Sequence, residues 1–144
     1  MAVTDEDVQH VRRAFESFNA TPGEREDEAG IRAHHARWYT DDVEIVNADD
    51  WPVPASYQGT EGYVRWYRES YGAYEDVRYA VDFIGAVGDR VVALVRISGR
   101  PRGEETELEV QIGLVYGMRG GRIARVELYL GHERAMRAAR ATES

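Results

Sequence analysis

The stretch Trp38-Tyr39-Thr40-Asp41-Asp42-Val43-Glu44-Ile45-Val46-Asn47 joins an aromatic pair, a run of turn residues and an alternating apolar segment, and its reading decides the fold. It describes a helix that stops, a turn over Thr40-Asp41-Asp42, and a short strand from Val43 to Asn47 ending on a polar side chain where a cavity can open. Beyond it, Ala48-Asp49-Asp50-Trp51-Pro52-Val53-Pro54 reads as a loop, because two prolines forbid a regular central strand. Thr60 then caps a helix that carries Tyr63, Trp66, Tyr67 and Tyr71 close to one face.

Working back toward the start, Thr4 followed by Asp5, Glu6 and Asp7 is a hydroxyl cap with acids at the positive end of a helix dipole. Val8, Val11, Phe15 and Phe18 continue it as one apolar stripe, ending near Asn19, that serves either a core or a cavity wall. A second helix is expected from about Glu24 to Tyr39, with Ile31, His35 and Trp38 on its buried face and His34 at the surface. Downstream the period falls to two. Val77 to Phe83, Val91 to Ile97, Leu108 to Tyr116 and Val126 to Leu130 read as strands, punctuated by Gly85 to Gly88, Gly99 to Gly103 and Gly120-Gly121. A short helix from His132 to about Arg140 closes the chain. Helices first and a meander afterwards predict an α+β fold, with about three N-terminal helices packed on one face of a curved antiparallel sheet.

Composition sets the outer limits. At 144 residues and 43% hydrophobic, the chain fits one domain over 1–144. Its net charge of −8 opposes nucleic acid and anionic membranes as partners. No cysteine is present, so disulfides and thiolate metal sites are excluded; no metal or other cofactor is expected. The start lacks a basic region followed by an apolar one, and no apolar run approaches the ~20 residues of a membrane span, so a cytoplasmic protein is expected.

The last hairpin decides which side chains face inward. An even-length hairpin tipped by Gly120-Gly121 is taken to place Leu114 and Leu128 on one apolar face with Ile112, Tyr116, Val126 and Leu130, leaving Glu109, Gln111, Arg125, Glu127 and Tyr129 on the other. A bulge would reverse that and bring Glu127 and Gln111 inside, where Glu127 would serve as a base.

The order of elements, together with Tyr39-Thr40-Asp41-Asp42-Val43-Glu44-Ile45-Val46-Asn47, Gly59-Thr60-Glu61-Gly62, Arg119-Gly120-Gly121-Arg122-Ile123 and Glu127-Leu128-Tyr129, resembles the SnoaL-like branch of the nuclear transport factor two-like superfamily. The resemblance covers nearly the whole chain. It implies a cone of curved sheet closed by helices around an apolar pocket, and a homodimer. It also allows known chemistries to be tested position by position. The ketosteroid isomerase base and two oxyanion donors fall on Asn47, Phe15 and Leu114, so all three are missing, although its supporting tyrosines have counterparts in Tyr39 and Tyr67. The limonene-type epoxide hydrolase asparagine is matched by Asn47, but its tyrosine, arginine and acids fall on Ile45, Val95, Ile97 and Leu128. The acid of aldol-type polyketide cyclases falls on Leu128, and its polar partners on Ile112 and Leu114.

With these bases missing, the resemblance implies a cyclase or isomerase of secondary metabolism that folds a hydrophobic, polyketide-like substrate by shape and desolvation, through a concerted ring closure. The alternative is a non-catalytic ligand-binding or dimeric interaction module. His35, Asn47 and Tyr67 are the expected polar anchors of any catalysis. Phe15, Trp38, Tyr39, Trp51, Tyr63, Trp66, Ile112, Leu114 and Leu128 are the expected substrate contacts. Each has a plainer reading: His35 as a hydrogen-bonded core histidine, Asn47 as a strand-end residue serving local backbone, and the aromatics as ordinary core.

Overall fold

A computed structural model describes residues 3–23, 27–48, 51 and 55–141. In chain order the elements are α1 (Asp5–Ala20), α2 (Glu28–Trp38), β1 (Tyr39–Asn47), β2 (Ser56–Gln58), α3 (Gly59–Tyr71), β3 (Tyr74–Val87), β4 (Arg90–Pro101), β5 (Leu108–Arg119), β6 (Arg122–Leu130) and α4 (His132–Ala141). The strands form one sheet in the order β2-β1-β6-β5-β4-β3. It is antiparallel except that β1 runs parallel to β6. Register shifts within β3, within β1 and near the β5–β6 tip bend the strands, as extra residues in a ladder do. The α+β class expected from the sequence is the one observed. No helix among the described residues is long and apolar enough to cross a membrane.

Local chemistry explains most boundaries. Thr4 accepts from the Asp7 N–H at 3.2 Å while Asp7 accepts from the Thr4 N–H at 3.1 Å, a reciprocal cap that opens α1. Asp27 caps α2 by accepting from Gly30 N–H at 2.7 Å; the expected start at Glu24 lies outside the described residues. At the end of α1, Asn19 donates to Tyr79 O at 2.8 Å and accepts from Tyr79 N–H at 2.9 Å, clamping the helix to β3.

Three sequence expectations are corrected. Thr40-Asp41-Asp42 is not a turn: β1 begins at Tyr39, directly after α2, because Tyr39 already pairs with Ile123 of β6 and a register slip before Glu44 absorbs the polar residues. Thr60 does not cap α3, which starts at Gly59, whose φ of 71° makes the corner out of β2. Strand β2, in the proline-bounded segment read as loop, pairs with β1 through Ile45 and Tyr57.

The last hairpin has the expected inner face by the opposite route. Gly120 and Gly121, both at positive φ, form a two-residue turn that pairs Arg119 with Arg122. Continued without interruption, that register sets Leu114 opposite Glu127. The ladder instead steps from Met118↔Ile123 to Gly117↔Arg125, leaving Ala124 as an extra residue, and Leu114 lands opposite Leu128. The bulge therefore keeps Glu127 out, where the sequence reading had it drawing Glu127 in.

Both faces of the sheet are covered. Helices α1, α2 and α3 pack on the concave face over Tyr79, Val95, Leu114, Tyr116, Val126 and Leu128. Helix α4 packs on the convex face, where Ala135 and Ala139 meet Val92 and Val115. Gly113 makes that contact possible, since a Cβ there would fall inside the envelope of the Ala135 methyl. Glu127 shares this outer side of β6: it accepts from the Tyr129 hydroxyl at 2.8 Å and lies 3.6 Å from Arg125, which also pairs with Glu44. It does not reach the interior as a base.

Candidate functional site

The concave side encloses a chamber assembled from every helix but the last. Helix α1 supplies Ala14, Phe15 and Phe18, and α2 supplies His34. Helix α3 supplies Tyr63, Trp66, Tyr67 and Tyr71, and the sheet supplies Tyr39, Ile45, Tyr79, Leu114, Tyr116 and Val126. The rings interlock: Phe15 and Phe18 lie 4.9 and 5.0 Å from Tyr79, and Tyr67 lies 4.8 Å from Tyr71. Edge-to-face contacts of this kind favour dense packing.

The remaining cavity is only about 30 Å³, room for roughly one or two water molecules. The apolar pocket expected from the sequence is small in this arrangement, because nine phenylalanine, tyrosine and tryptophan side chains fill the space between helices and sheet.

The polar content of the chamber is phenolic. Tyr63 is hydrogen-bonded to Tyr39, and Tyr71 to Tyr79. Tyr116 lines the cavity, and its hydroxyl has no hydrogen bond among the described residues. Burial, the dominant cause, pushes the Tyr39, Tyr63, Tyr71 and Tyr116 hydroxyls above the usual phenol range. Near neutral pH all four are therefore uncharged donors. No carboxylate lines the chamber. Among the described residues no group of three or more histidine or acidic side chains is placed to hold a metal ion.

Both adjacent histidines are buried, and only one was expected to be. His34, expected at the surface, is 5% exposed and lines the cavity, with Phe18, Tyr39 and Tyr67 rings all 6.4 Å away. His35 is equally buried but turns to the start of β1, where its Nε2 lies 3.0 Å from Thr40 O. The core-histidine reading holds for it. Burial holds its pKa below the ordinary imidazole value.

Of the other expected residues, Phe15, Tyr39, Tyr63, Trp66, Tyr67 and Leu114 line the cavity, whereas Trp38, Asn47, Trp51, Ile112 and Leu128 do not. The last four belong to the next layer of the cone. Asn47 pairs with Leu128, and the Trp51 indole N–H donates to Leu128 O at 2.7 Å, which closes that end. Asn47 Oδ1 is buried and finds no partner there. Trp38 packs beside His10, at a ring distance of 5.1 Å, behind the chamber wall. The sequence reading missed Tyr79, Tyr116 and Phe18 as cavity residues, although all three stood in the apolar stripes it identified.

A second, wider cleft of about 470 Å³ opens beside the chamber. It shares Tyr67 and Tyr71 with the chamber, and its rim mixes uncharged residues such as Tyr74 and Val77 with Arg68 of α3, Glu75 and Asp76 of β3, Arg100 of β4 and Arg102 just beyond it.

Comparison with known proteins agrees with this architecture. The family pattern described as SnoaL-like domain matches residues 11–126. No curated protein matches the chain in sequence. Among solved structures, a protein described as a SnoaL-like polyketide cyclase from Jannaschia sp. CCS1 is similar over 98% of both chains, at 15% identity and a TM-score of 0.67. TerC, co-crystallised with polyporic acid, covers 96% of this chain and 100% of its own at 16% identity and TM-score 0.68. A protein of ketosteroid isomerase-like fold from Catenulispora acidiphila DSM 44928, in complex with trimethylamine, covers 82% and 85% at 17% identity and TM-score 0.63. At these identities the likeness is one of fold.

Proposed function

The chain belongs to the SnoaL-like domain family, and from that premise we propose that it takes a hydrophobic, polyketide-like small molecule into the tyrosine-lined chamber and promotes its cyclisation or isomerisation. Tyr116 carries the proposal: its hydroxyl is a neutral donor at the cavity surface with no hydrogen-bond partner among the described residues, suited to a ligand carbonyl. Chemistry in such a chamber comes mainly from holding reacting ends together without water, since among the described residues no carboxylate lines it and His34 is its one imidazole. The ligands of two structural relatives, polyporic acid and trimethylamine, support small-molecule binding as the use of this fold.

A non-catalytic binding module is the second reading, favoured by one observation: the chamber is almost filled. In both readings a ligand must displace rings, and its binding must be linked to stability. A ligand at one hundred times its Kd adds about 2.7 kcal/mol. Thermal melts with a panel of hydrophobic polyketides and quinones, polyporic acid included, test the shared claim. A binder whose shift shrinks in Tyr116→Phe supports it, and a panel without any shift overturns it. Conversion of the bound compound then separates the enzyme from the binding module.

A further inference from the structure

The chamber alone is too small for such a ligand, but the wall between it and the charged cleft is one side chain thick, formed by Tyr67 and Tyr71. Swinging these rings joins the two spaces into about 500 Å³, inside the range of about 300 to 1,000 Å³ usual for small-molecule sites.

Among the described residues three guanidiniums and two carboxylates line the cleft, with Glu28 beside Arg68, so cationic groups gather here in a chain whose net charge is −8. Arg100 is engaged by Asp76 and by Glu75 at 3.5 Å, and Arg68 by Glu28 at 3.2 Å. Arg102 is less committed. Its Nε donates to Gly72 O at 2.8 Å, while its terminal nitrogens have only a 3.8 Å contact with Glu75. We propose that this cleft is the entrance to the chamber and an anion subsite, in which Arg102 holds the acidic group of a ligand whose apolar body passes between Tyr67 and Tyr71. The proposal rests on the chamber being a ligand site and names its ligand class: a hydrophobic acid rather than a neutral hydrocarbon.

Two fluorescent probes of like shape test it, anilinonaphthalene sulfonate and its uncharged analogue phenylnaphthylamine, titrated into the folded chain at low salt. Both are expected to bind, the sulfonate more tightly. Arg102→Gln is expected to weaken the sulfonate about fivefold, the scale of an exposed ion pair, without changing the neutral probe. Arg102→Lys, which keeps the charge and gives up the Gly72 contact, is expected to retain the preference, separating charge from a structural role. Equal effects of Arg102→Gln on both probes, or none on either, overturn the anion subsite and leave the chamber reading standing. Binding of the sulfonate alone overturns the passage into the chamber. If neither probe binds, the chamber reading falls and takes this one with it.

Discussion

The two faces of the sheet solve the same packing problem with opposite materials. On the convex face, glycine and alanine bring α4 onto the backbone of β5, and polar groups such as Glu127, Arg125 and Tyr129 satisfy one another. On the concave face, large aromatic rings fill the volume, leave a small void, and keep one phenol, on Tyr116, without a partner. A face built for stability has neither voids nor idle donors. Among the described residues the concave face has both, and that is where a ligand could find space and a donor.

The sharpest way to break this comparison is to exchange the faces of β6. Glu127→Leu combined with Leu128→Glu leaves the register as it is and turns a leucine out and a carboxylate in, at a position 3% exposed in the parent. Breaking packing while burying an unpaired charge costs several kcal/mol, at least about 4 here. Urea denaturation should show loss of cooperative folding. A doubly substituted variant as stable as the parent would mean that Leu128 does not face the interior.

Adding one or two methyl groups probes each face more gently. Gly113→Ala places a Cβ against the Ala135 methyl and is expected to cost about 1 to 3 kcal/mol. Ala14→Val adds two methyl groups beside the cavity and is expected to cost no more than about 0.5 kcal/mol, its helix-propensity penalty. Thermal melts of the two variants rank the faces directly.

The adjacent histidines sharpen the comparison through pH. Burial lowers the His35 pKa in the folded chain below the ordinary 6.5, so the unfolded chain binds the proton more readily. The stability His35 contributes is therefore complete above about pH 6.5 and is lost as the pH falls from there toward the depressed folded value. In His35→Gln, whose amide can still donate to Thr40 O, this part of the acid slope should disappear from urea midpoints measured between about pH 7 and pH 5.

How much of this was legible in the sequence follows from what each signal encodes. Periodicity located all four helices and the four long strands, because burial on one face writes itself into the spacing of Phe15, Phe18, Leu114 and Leu128. It missed β2, since three residues beside prolines leave no period to read. It assigned the correct inner face to β6 from a mistaken account of the hairpin: the apolar run itself pointed inward, and Ala124 carries no mark of a bulge. His34 was misplaced at the surface because neighbours on a helix differ by only about 100° in direction, and the turn of α2 into β1 lets both histidines be buried while only His34 meets the chamber. The size of the cavity was not encoded locally at all. It depends on how rings from five elements interlock, which no single stretch contains.

The smallest expected change in stability comes from the residue on which the functional reading rests. Tyr71 and Tyr116 are both buried tyrosines of the concave face, but only Tyr71 has a hydroxyl partner, Tyr79. Tyr71→Phe breaks that bond and weakens the satisfaction of Tyr79, an expected loss of about 1 kcal/mol. Tyr116→Phe removes a hydroxyl that has no hydrogen bond to lose, so its stability should stay within about 0.5 kcal/mol of the parent or rise slightly. If urea melts show Tyr116→Phe to be as damaging as Tyr71→Phe, the Tyr116 hydroxyl is bound within the protein, and the contrast between a satisfied and an idle phenol disappears.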